Sequence, residues 1–183
     1  MMYTLAQFAP NEVFKYVPSY DNYSRRDSCK RPEFNLPDGQ TFKVKVESKR
    51  LVLFKQNPSC VCCGITGEIF LLQRGKEDEN PHFNFYAVDN NTLILMTKDH
   101  IRPSSKKGSN RLNNLQTMCE GCNGLKGGSL ISNEQLLEIK ELYISLLNKG
   151  KPHKEAFHII EKVKKQMCGK NEQKSTCIRG RIS

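Results

Sequence analysis

The stretch DHIRPSSKKGSNRLNNLQTMCEGCNGLK, residues 99–126, follows directly on the apolar run TLILM. That run predicts a strand, which ends at Asp99 and His100. Because successive side chains of a strand point to opposite faces, we expect the carboxylate and the imidazole to lie on different sides of it. LQTM predicts a second, short strand, and CEGCNGLK predicts a short helix stopped by two glycines. The stretch therefore indicates a strand, a basic loop, a strand and a helix.

Two pairs of cysteines share one spacing. Cys60 and Cys63 form one C-x-x-C, and Cys119 and Cys122 form another. Two such knuckles provide the four thiolates of a tetrahedral zinc site, with Zn–S bonds of about 2.3 Å. Four unrelated free cysteines are the alternative, but a spacing that occurs twice favours the metal. We expect a closed, structural Zn²⁺ site, with Cys62 outside it. The remaining cysteines, predicted to be free thiols, are Cys29, Cys168 and Cys177.

The order of these residues resembles the HNH nuclease family. The shared features are D-H-I-x-P, a glycine-containing loop, N-L-Q, C-x-x-C-N and a following lysine, all within residues 99–126. The resemblance extends to Cys60 and Cys63 but not to the flanks. It implies an α+β fold, in which a small ββα-metal (His-Me finger) core with structural zinc is preceded by short strands and followed by a helical hairpin.

The resemblance also implies a function, that of a metal-dependent endonuclease hydrolysing DNA phosphodiester bonds. His100 is the expected general base, since an unperturbed imidazole has a pKa of about 6.5. Asp99 and Asn123 are the expected ligands of Mg²⁺ (or Mn²⁺), because carboxylate and amide oxygens are hard donors. Asn114 is expected to brace the loop after His100. The residues expected to contact nucleic acid are Lys126, Arg102, Lys106 and Lys107.

A second class of function stays open at this point. The same zinc scaffold could be a non-catalytic nucleic-acid-binding module, in which Asp99 and His100 are relics. Taken singly, each site residue also has an ordinary interpretation, since Asp-His is common in loops and asparagine caps turns and helices. Their combination at these spacings favours the nuclease.

The segments before the cysteines are less informative. Residues 1–40 are rich in turn-forming residues, and we expect little regular structure there. TFKVKV predicts a strand from Thr41, with RLVLF as its expected continuation. GEIFLLQRG predicts another strand, and HFNFYAVDNNTLILM predicts a hairpin that turns at Asn90 and Asn91.

Two helices are predicted after the cysteines. Ser132 and Gln135 form a capping box before an apolar stripe, and Gly150 ends that helix. Pro152 opens the second helix. Residues 149–183 contain ten Lys and Arg against three Glu. Two interpretations remain open: a basic helix pair that binds DNA, or a packing hairpin with a solvated face.

These patterns divide the chain into four parts. They are an N-terminal extension with short strands (1–57), an HNH nuclease domain (58–130), a C-terminal helical pair (131–168) and a basic disordered tail (169–183). The net charge of +10 indicates a polyanionic partner, for which double-stranded DNA is expected. A homodimer is left open, because cutting a duplex needs two sites or two nicks.

The sequence also limits where the protein is expected to act. Its apolar runs are far shorter than the roughly 20 residues that span a bilayer, so no membrane partner is expected. The N-terminus has no basic start followed by a long apolar segment, which disfavours secretion. We expect a cytoplasmic, intracellular protein, and leave open that a phage or a mobile element encodes it.

Overall fold

A five-stranded antiparallel sheet, a two-stranded ribbon and five α-helices make up the described part of the chain. The computed structural model describes residues 2–23, 31–75 and 80–179, without the side chains of His153 and of residues 168–179. The strands are β1 (Met2–Phe8), β2 (Glu33–Asn35), β3 (Thr41–Lys43), β4 (Ile69–Gly75), β5 (His82–Asp89), β6 (Thr92–His100) and β7 (Leu115–Cys119). The α-helices are α1 (Pro10–Phe14), α2 (Lys49–Gln56), α3 (Glu120–Lys126), α4 (Asn133–Asn148) and α5 (His153–Arg179). This architecture confirms the predicted α+β class.

The predicted hairpin is formed by β5 and β6. Asn90 and Asn91 turn it with φ angles of 46° and 62°, a region that asparagine tolerates better than most residues. Pairing between the two strands ends at Tyr86 with Leu95. The second half of β6 pairs instead with β7, as far as His100 opposite Leu115. The strands therefore part after Leu95, and Asp99 and His100 lie on the half of β6 that has changed its neighbour.

The N-terminal segment has more regular structure than the sequence predicts. β1 forms the edge of the large sheet by pairing with β4, from Met2 opposite Gly75 to Phe8 opposite Phe70. The expectation of little regular structure in residues 1–40 is wrong here, because MYTLAQF has no clear alternation and is a strand only next to its partner. Met1 and the predicted turn residues 24–30 lie outside the described residues.

The segment RLVLF is helical, so the predicted extension of the strand from Thr41 is also wrong. α2 begins after Ser48, whose hydroxyl accepts a hydrogen bond from Leu51 N at 3.2 Å. A short apolar run does not distinguish a buried strand from a buried helix. Serine at the N-cap was the local signal for the helix.

Phenylalanine rings join the N-terminal segment to the predicted nuclease domain. Phe8 of β1 and Phe34 of β2 both contact Phe83 of β5, with ring centroids 5.4 and 4.8 Å apart. Phe70 stacks on Phe85 at 4.4 Å in the same core. The described residues before position 58 therefore share a sheet and a core with the described residues of 58–130.

The two C-terminal helices form a packed hairpin. Ser132 and Gln135 make the predicted capping box. α4 buries Leu136 and Ile139, while α5 buries Ile160. α5 runs to Arg179 and so includes most of the segment predicted to be a disordered tail, whereas residues 180–183 lie outside the described ones. Among the described residues, none of the helices combines the length and apolar character needed to cross a bilayer.

Candidate metal centre and active site

Four cysteine side chains converge between the first knuckle, the end of β7 and the start of α3. The Sγ atoms of Cys60, Cys63, Cys119 and Cys122 all lie within 4.8 Å of one another. Cys63 and Cys119 are 3.8 Å apart. Bonds of about 2.3 Å to a tetrahedral ion would separate the sulfurs by roughly 3.8 Å. The predicted cluster is therefore present, and it can hold a metal ion such as zinc.

Local geometry explains why the cysteines meet. In the first knuckle, Gly64 has a φ of 77° and its N–H donates to the carbonyl of Cys60 at 2.9 Å, which closes a tight turn. In the second, Cys119 is the N-cap of α3, and its sulfur accepts from the N–H of Cys122 at 3.4 Å. The hydrogen bond from Val61 N to the carbonyl of Thr117 holds the two knuckles together.

The four thiols of the cluster change one another's acidity. Hydrogen bonds from Cys119 and Cys122 hold the pKa of Cys60 far below its ordinary value, while hydrogen bonds to Cys119 and Cys60 and burial raise the pKa of Cys122. The protein groups around Cys122 thus oppose its ionisation. A divalent cation would allow all four to ionise.

Two further side chains border the cluster. Partial burial lowers the pKa of Lys140 in α4, but charge interactions with Cys122 and Cys63 and a hydrogen bond to Cys63 outweigh it and raise that pKa overall. The ammonium group of Lys140 therefore lies beside a centre whose net charge would be negative, since four thiolates outnumber the two positive charges of Zn²⁺. Cys62 lies outside the group of four, and burial raises its pKa. Cys29 and the side chains of Cys168 and Cys177 lie outside the described residues.

Asp99 and His100 end β6 with their side chains on opposite faces, by strand alternation. Asp99 is 6% exposed and lies on the face that α3 covers. Its Oδ2 accepts hydrogen bonds from Lys126 Nζ and Gln116 Nε2, each at 2.8 Å. His100 is half-buried on the other face. The structure thus separates the carboxylate from the imidazole.

Lys126 does not lie where the sequence analysis placed it. Its side chain is 1% exposed, and Nζ donates both to Asp99 and to the carbonyl of His100, the latter at 2.6 Å. It is therefore buried beneath the strand end and does not face outward to a phosphate. The physical reason is the direction of α3, which crosses the Asp99 face of β6. The ammonium group of Lys126 is therefore buried, and the carboxylate of Asp99 is its counterion.

Asn123 lies on the same side of β6 as Asp99. Its Nδ2 donates to the hydroxyl of Thr97 at 3.0 Å, and that hydroxyl donates to the carbonyl of Met118 at 2.9 Å. Thr97 precedes Asp99 by two residues, so both belong to one face of the strand. Because Nδ2 is committed to Thr97, Oδ1 is the end of the Asn123 amide that remains for a cation.

Asn114 braces the loop that follows His100. Its Oδ1 accepts from Arg102 N at 2.9 Å, and its Nδ2 donates to the carbonyls of Arg102 and Ser109 at 3.1 and 2.7 Å. The N–H of Ile101 donates to the Asn114 carbonyl at 2.9 Å. One side chain therefore ties the beginning of the loop to its end.

A glycine is needed where this loop crosses itself. A Cβ on Gly108 would lie 1.8 Å from the carbonyl oxygen of Arg102. The guanidinium Nε of Arg102 donates to the carbonyl of Lys106 at 2.7 Å, and the lysines at 106 and 107 are exposed. The three predicted backbone-contacting cations are thus displayed on one compact loop.

Sequence reasoning did not assign roles to two residues of the site. Gln116 fixes Asp99, and Thr97 fixes Asn123. Gln116 belongs to the N-L-Q motif and lies opposite Asp99 in the β6–β7 pair, so cross-strand pairing could have identified it. Thr97 carried a weaker signal, which was its position two residues before Asp99.

A comparison with known protein families matches the segment that contains these residues. Residues 89–129 match the family model described as HNH endonuclease. The matched segment runs from the end of β5 to just beyond α3 and contains Asp99, His100, Asn114 and Asn123. The match confirms the resemblance and associates the chain with nuclease function. Neither the curated proteins nor the solved structures contain a significant match.

Proposed function

We propose that this protein is a metal-dependent endonuclease that hydrolyses phosphodiester bonds of DNA. One observation carries the proposal: within the HNH-matching segment, an imidazole and an acid leave the same strand end on opposite faces, and Asn114 holds the loop beside them. A strand end with a braced loop can keep reacting groups in fixed positions. The net charge of +10 supports an anionic substrate.

His100 is the proposed general base. Its imidazole takes a proton from a water molecule, and the resulting hydroxide forms a bond to phosphorus while the bond from phosphorus to the 3′ oxygen breaks. The 3′ oxygen leaves and is protonated by solvent, giving a 3′ hydroxyl and a 5′ phosphate. Lys126 supports the step indirectly by binding the His100 carbonyl, which fixes the backbone that carries the ring.

Asp99 and Asn123 are the proposed ligands of a catalytic Mg²⁺ or Mn²⁺. Both lie on the α3 side of β6, and each offers an oxygen, the ligand type that these ions prefer. Both donors to Asp99 bind Oδ2, which leaves Oδ1 as the carboxylate oxygen that a cation would reach. The bound ion would neutralise charge on the phosphate and the leaving oxygen.

Asn114 is the proposed positioning residue. Its side chain hydrogen-bonds to the loop backbone at Arg102 and Ser109, so it acts on the reaction by holding the segment that follows His100. The four-cysteine site, proposed to bind Zn²⁺, serves the fold and leaves no coordination position for substrate.

One observation favours the alternative, a non-catalytic zinc-containing nucleic-acid-binding module. Lys126 is already the buried counterion of Asp99. A site that had lost its catalytic activity could keep this ion pair as part of its fold. The two functions differ in a simple assay. A binding module shifts DNA without cutting it, whereas the proposed enzyme also nicks it when magnesium is added.

The test is nicking of a supercoiled plasmid in magnesium by the wild-type protein and two histidine variants. His100→Ala should lower the rate by a factor of about 10² or more while DNA binding is retained, since a positioned base contributes roughly 10²–10⁴-fold. His158→Ala, at an exposed position of α5, is the matched control and should cut normally. Undiminished nicking by His100→Ala would refute the base, and a wild-type protein that only binds would refute the enzyme.

A further inference from the structure

A pocket of about 430 Å³ opens on the His100 side of β6. Lys98 belongs to its lining and precedes His100 by two residues, so both side chains lie on the face opposite α3. The residues that line the pocket are Tyr23, Lys45, Glu47, Ser48, Lys49, Arg50, Lys98 and Asn110. Six of these eight precede residue 89, so the pocket is built mainly outside the HNH-matching segment.

The pocket adjoins the proposed reaction site. Lys98 and His100 are separated by about 7 Å along the strand. Lys49 Nζ donates to the carbonyl of Asn110, and Asn114 Nδ2 donates to the carbonyl of the preceding Ser109. The same loop therefore forms one wall of the pocket and is held by the residue that positions the site.

Cations dominate the lining. Lys45, Lys49, Arg50 and Lys98 face one acid, Glu47. The Arg50 guanidinium is fixed in the wedge where β5 and β6 part, because it donates to Asn84 Oδ1 at 2.9 Å and to the carbonyl of Phe83. Lys45 is exposed and Lys98 half-buried. Such a lining suits a phosphate group.

The buried carboxylate of Glu47 indicates that the ligand has hydrogen-bond donors in addition to a phosphate. It is 6% exposed, and its Oε2 is buried without a hydrogen-bond partner among the described residues. None of the ion pairs found in that part of the chain includes it, although four cations line the same pocket. An ionised carboxylate only accepts hydrogen bonds, and leaving it unpaired is costly. The ligand should therefore bring N–H donors together with its negative charge.

A nucleotide meets both requirements. We propose that the pocket binds one nucleotide of the substrate strand beside the scissile phosphate, with Lys45 and Lys98 at its phosphate and Glu47 accepting from an amino group of its base. The position relative to the cut rests on the proposed nuclease function. Cytosine, adenine and guanine carry amino groups, and carboxylates accept in this way from cytosine N4. Thymine has no amino group and only its ring N3–H to donate, so it is disfavoured.

The experiment measures binding and cleavage separately. Fluorescence anisotropy without added magnesium compares labelled 12-mer single strands of dC and dT, using the full chain and the variants Glu47→Gln and Glu33→Gln. The wild-type protein should bind dC more tightly than dT by a factor on the order of ten. Glu47→Gln should lose this discrimination. Glu33→Gln, which removes an exposed acid paired with Lys43, should keep it.

A second variant guards against misfolding of the first. Lys98→Met should weaken both oligonucleotides alike and reduce the slope of log affinity against log salt by about one. Equal binding of dC and dT by the wild-type protein, or discrimination retained by folded Glu47→Gln, would overturn the pocket assignment.

Cleavage mapping on a random library in magnesium separates the two proposals. A depletion of thymine at one fixed position beside the cut, absent in Glu47→Gln, supports both. Cutting without such a position would contradict the proposed nucleotide pocket but not the proposed nuclease function. Tighter binding of dC than of dT without any cutting would contradict the proposed nuclease function but not the proposed nucleotide pocket.

Discussion

Lys126 Nζ lies 2.8 Å from Oδ2 of Asp99, and both side chains are almost fully buried. Removing one partner of a buried ion pair typically costs about 3–5 kcal/mol, because the remaining charge is left uncompensated. We expect Lys126→Met to lower the free energy of unfolding by about this amount, measured by urea denaturation.

An exposed ion pair is the matched control for that variant. Lys151, two residues before α5, pairs with Glu155 of that helix in a solvent-exposed position, so Lys151→Met should change stability by about 1 kcal/mol or less. If Asp99 is also a metal ligand, added magnesium should raise the melting temperature of Lys126→Met more than that of the wild type. Equal destabilisation by both lysine variants would contradict the buried role of Lys126.

The cysteine cluster predicts that metal and fold are lost together. Cys119→Ser should bind less than one equivalent of zinc and lose its cooperative thermal transition, because three thiolates cannot close the shell. Elemental analysis and circular dichroism measure the two effects. Cys62→Ser, a change next to the cluster but outside it, should retain both the metal and the transition. A folded, zinc-replete Cys119→Ser protein would exclude that sulfur from the shell.

Asn114 should affect turnover more than binding. Asn114→Ala removes three side-chain hydrogen bonds to the loop backbone, each of which contributes roughly 0.5–1.5 kcal/mol. We expect kcat for nicking to fall at least about ten-fold with KM nearly unchanged, since the loop that follows His100 loses its brace. The exposed neighbour offers the control Asn113→Ala, which should behave as wild type. A purely structural role would lower stability and leave kcat per folded molecule intact.

The variant Gly108→Ala tests whether activity requires the close approach of Gly108 to Arg102, where the loop crosses itself. Gly108→Ala would bring a methyl group to 1.8 Å from the carbonyl of Arg102, so the loop must open. Nicking should fall by at least about ten-fold, while the zinc content stays at one equivalent. Gly121→Ala is the control, because a Cβ there meets nothing within 4 Å. Equal activity of the two alanine variants would show that the loop conformation is not required.

The parts of the fold that the sequence predicted correctly depend on local chemistry. The turn at Asn90 and Asn91, the capping box at Ser132 and the two C-x-x-C spacings each specify their structure within a few residues. β1 and Lys126 were mispredicted for the opposite reason. β1 becomes a strand only beside β4, and the burial of Lys126 depends on how α3 crosses β6. Contacts between segments that are far apart in the sequence produce no periodic pattern of apolar residues from which they could be predicted.

The parting of β5 and β6 has a consequence for how this site can change. Past Leu95, the two faces of β6 have different neighbours, with Asp99 under α3 on one face and Lys98 and His100 near α2 on the other. Substitutions around Lys98 need not disturb the residues around Asp99. Cation affinity and base selectivity should therefore be separately adjustable, so that a variant with altered sequence preference could be engineered without rebuilding its chemistry.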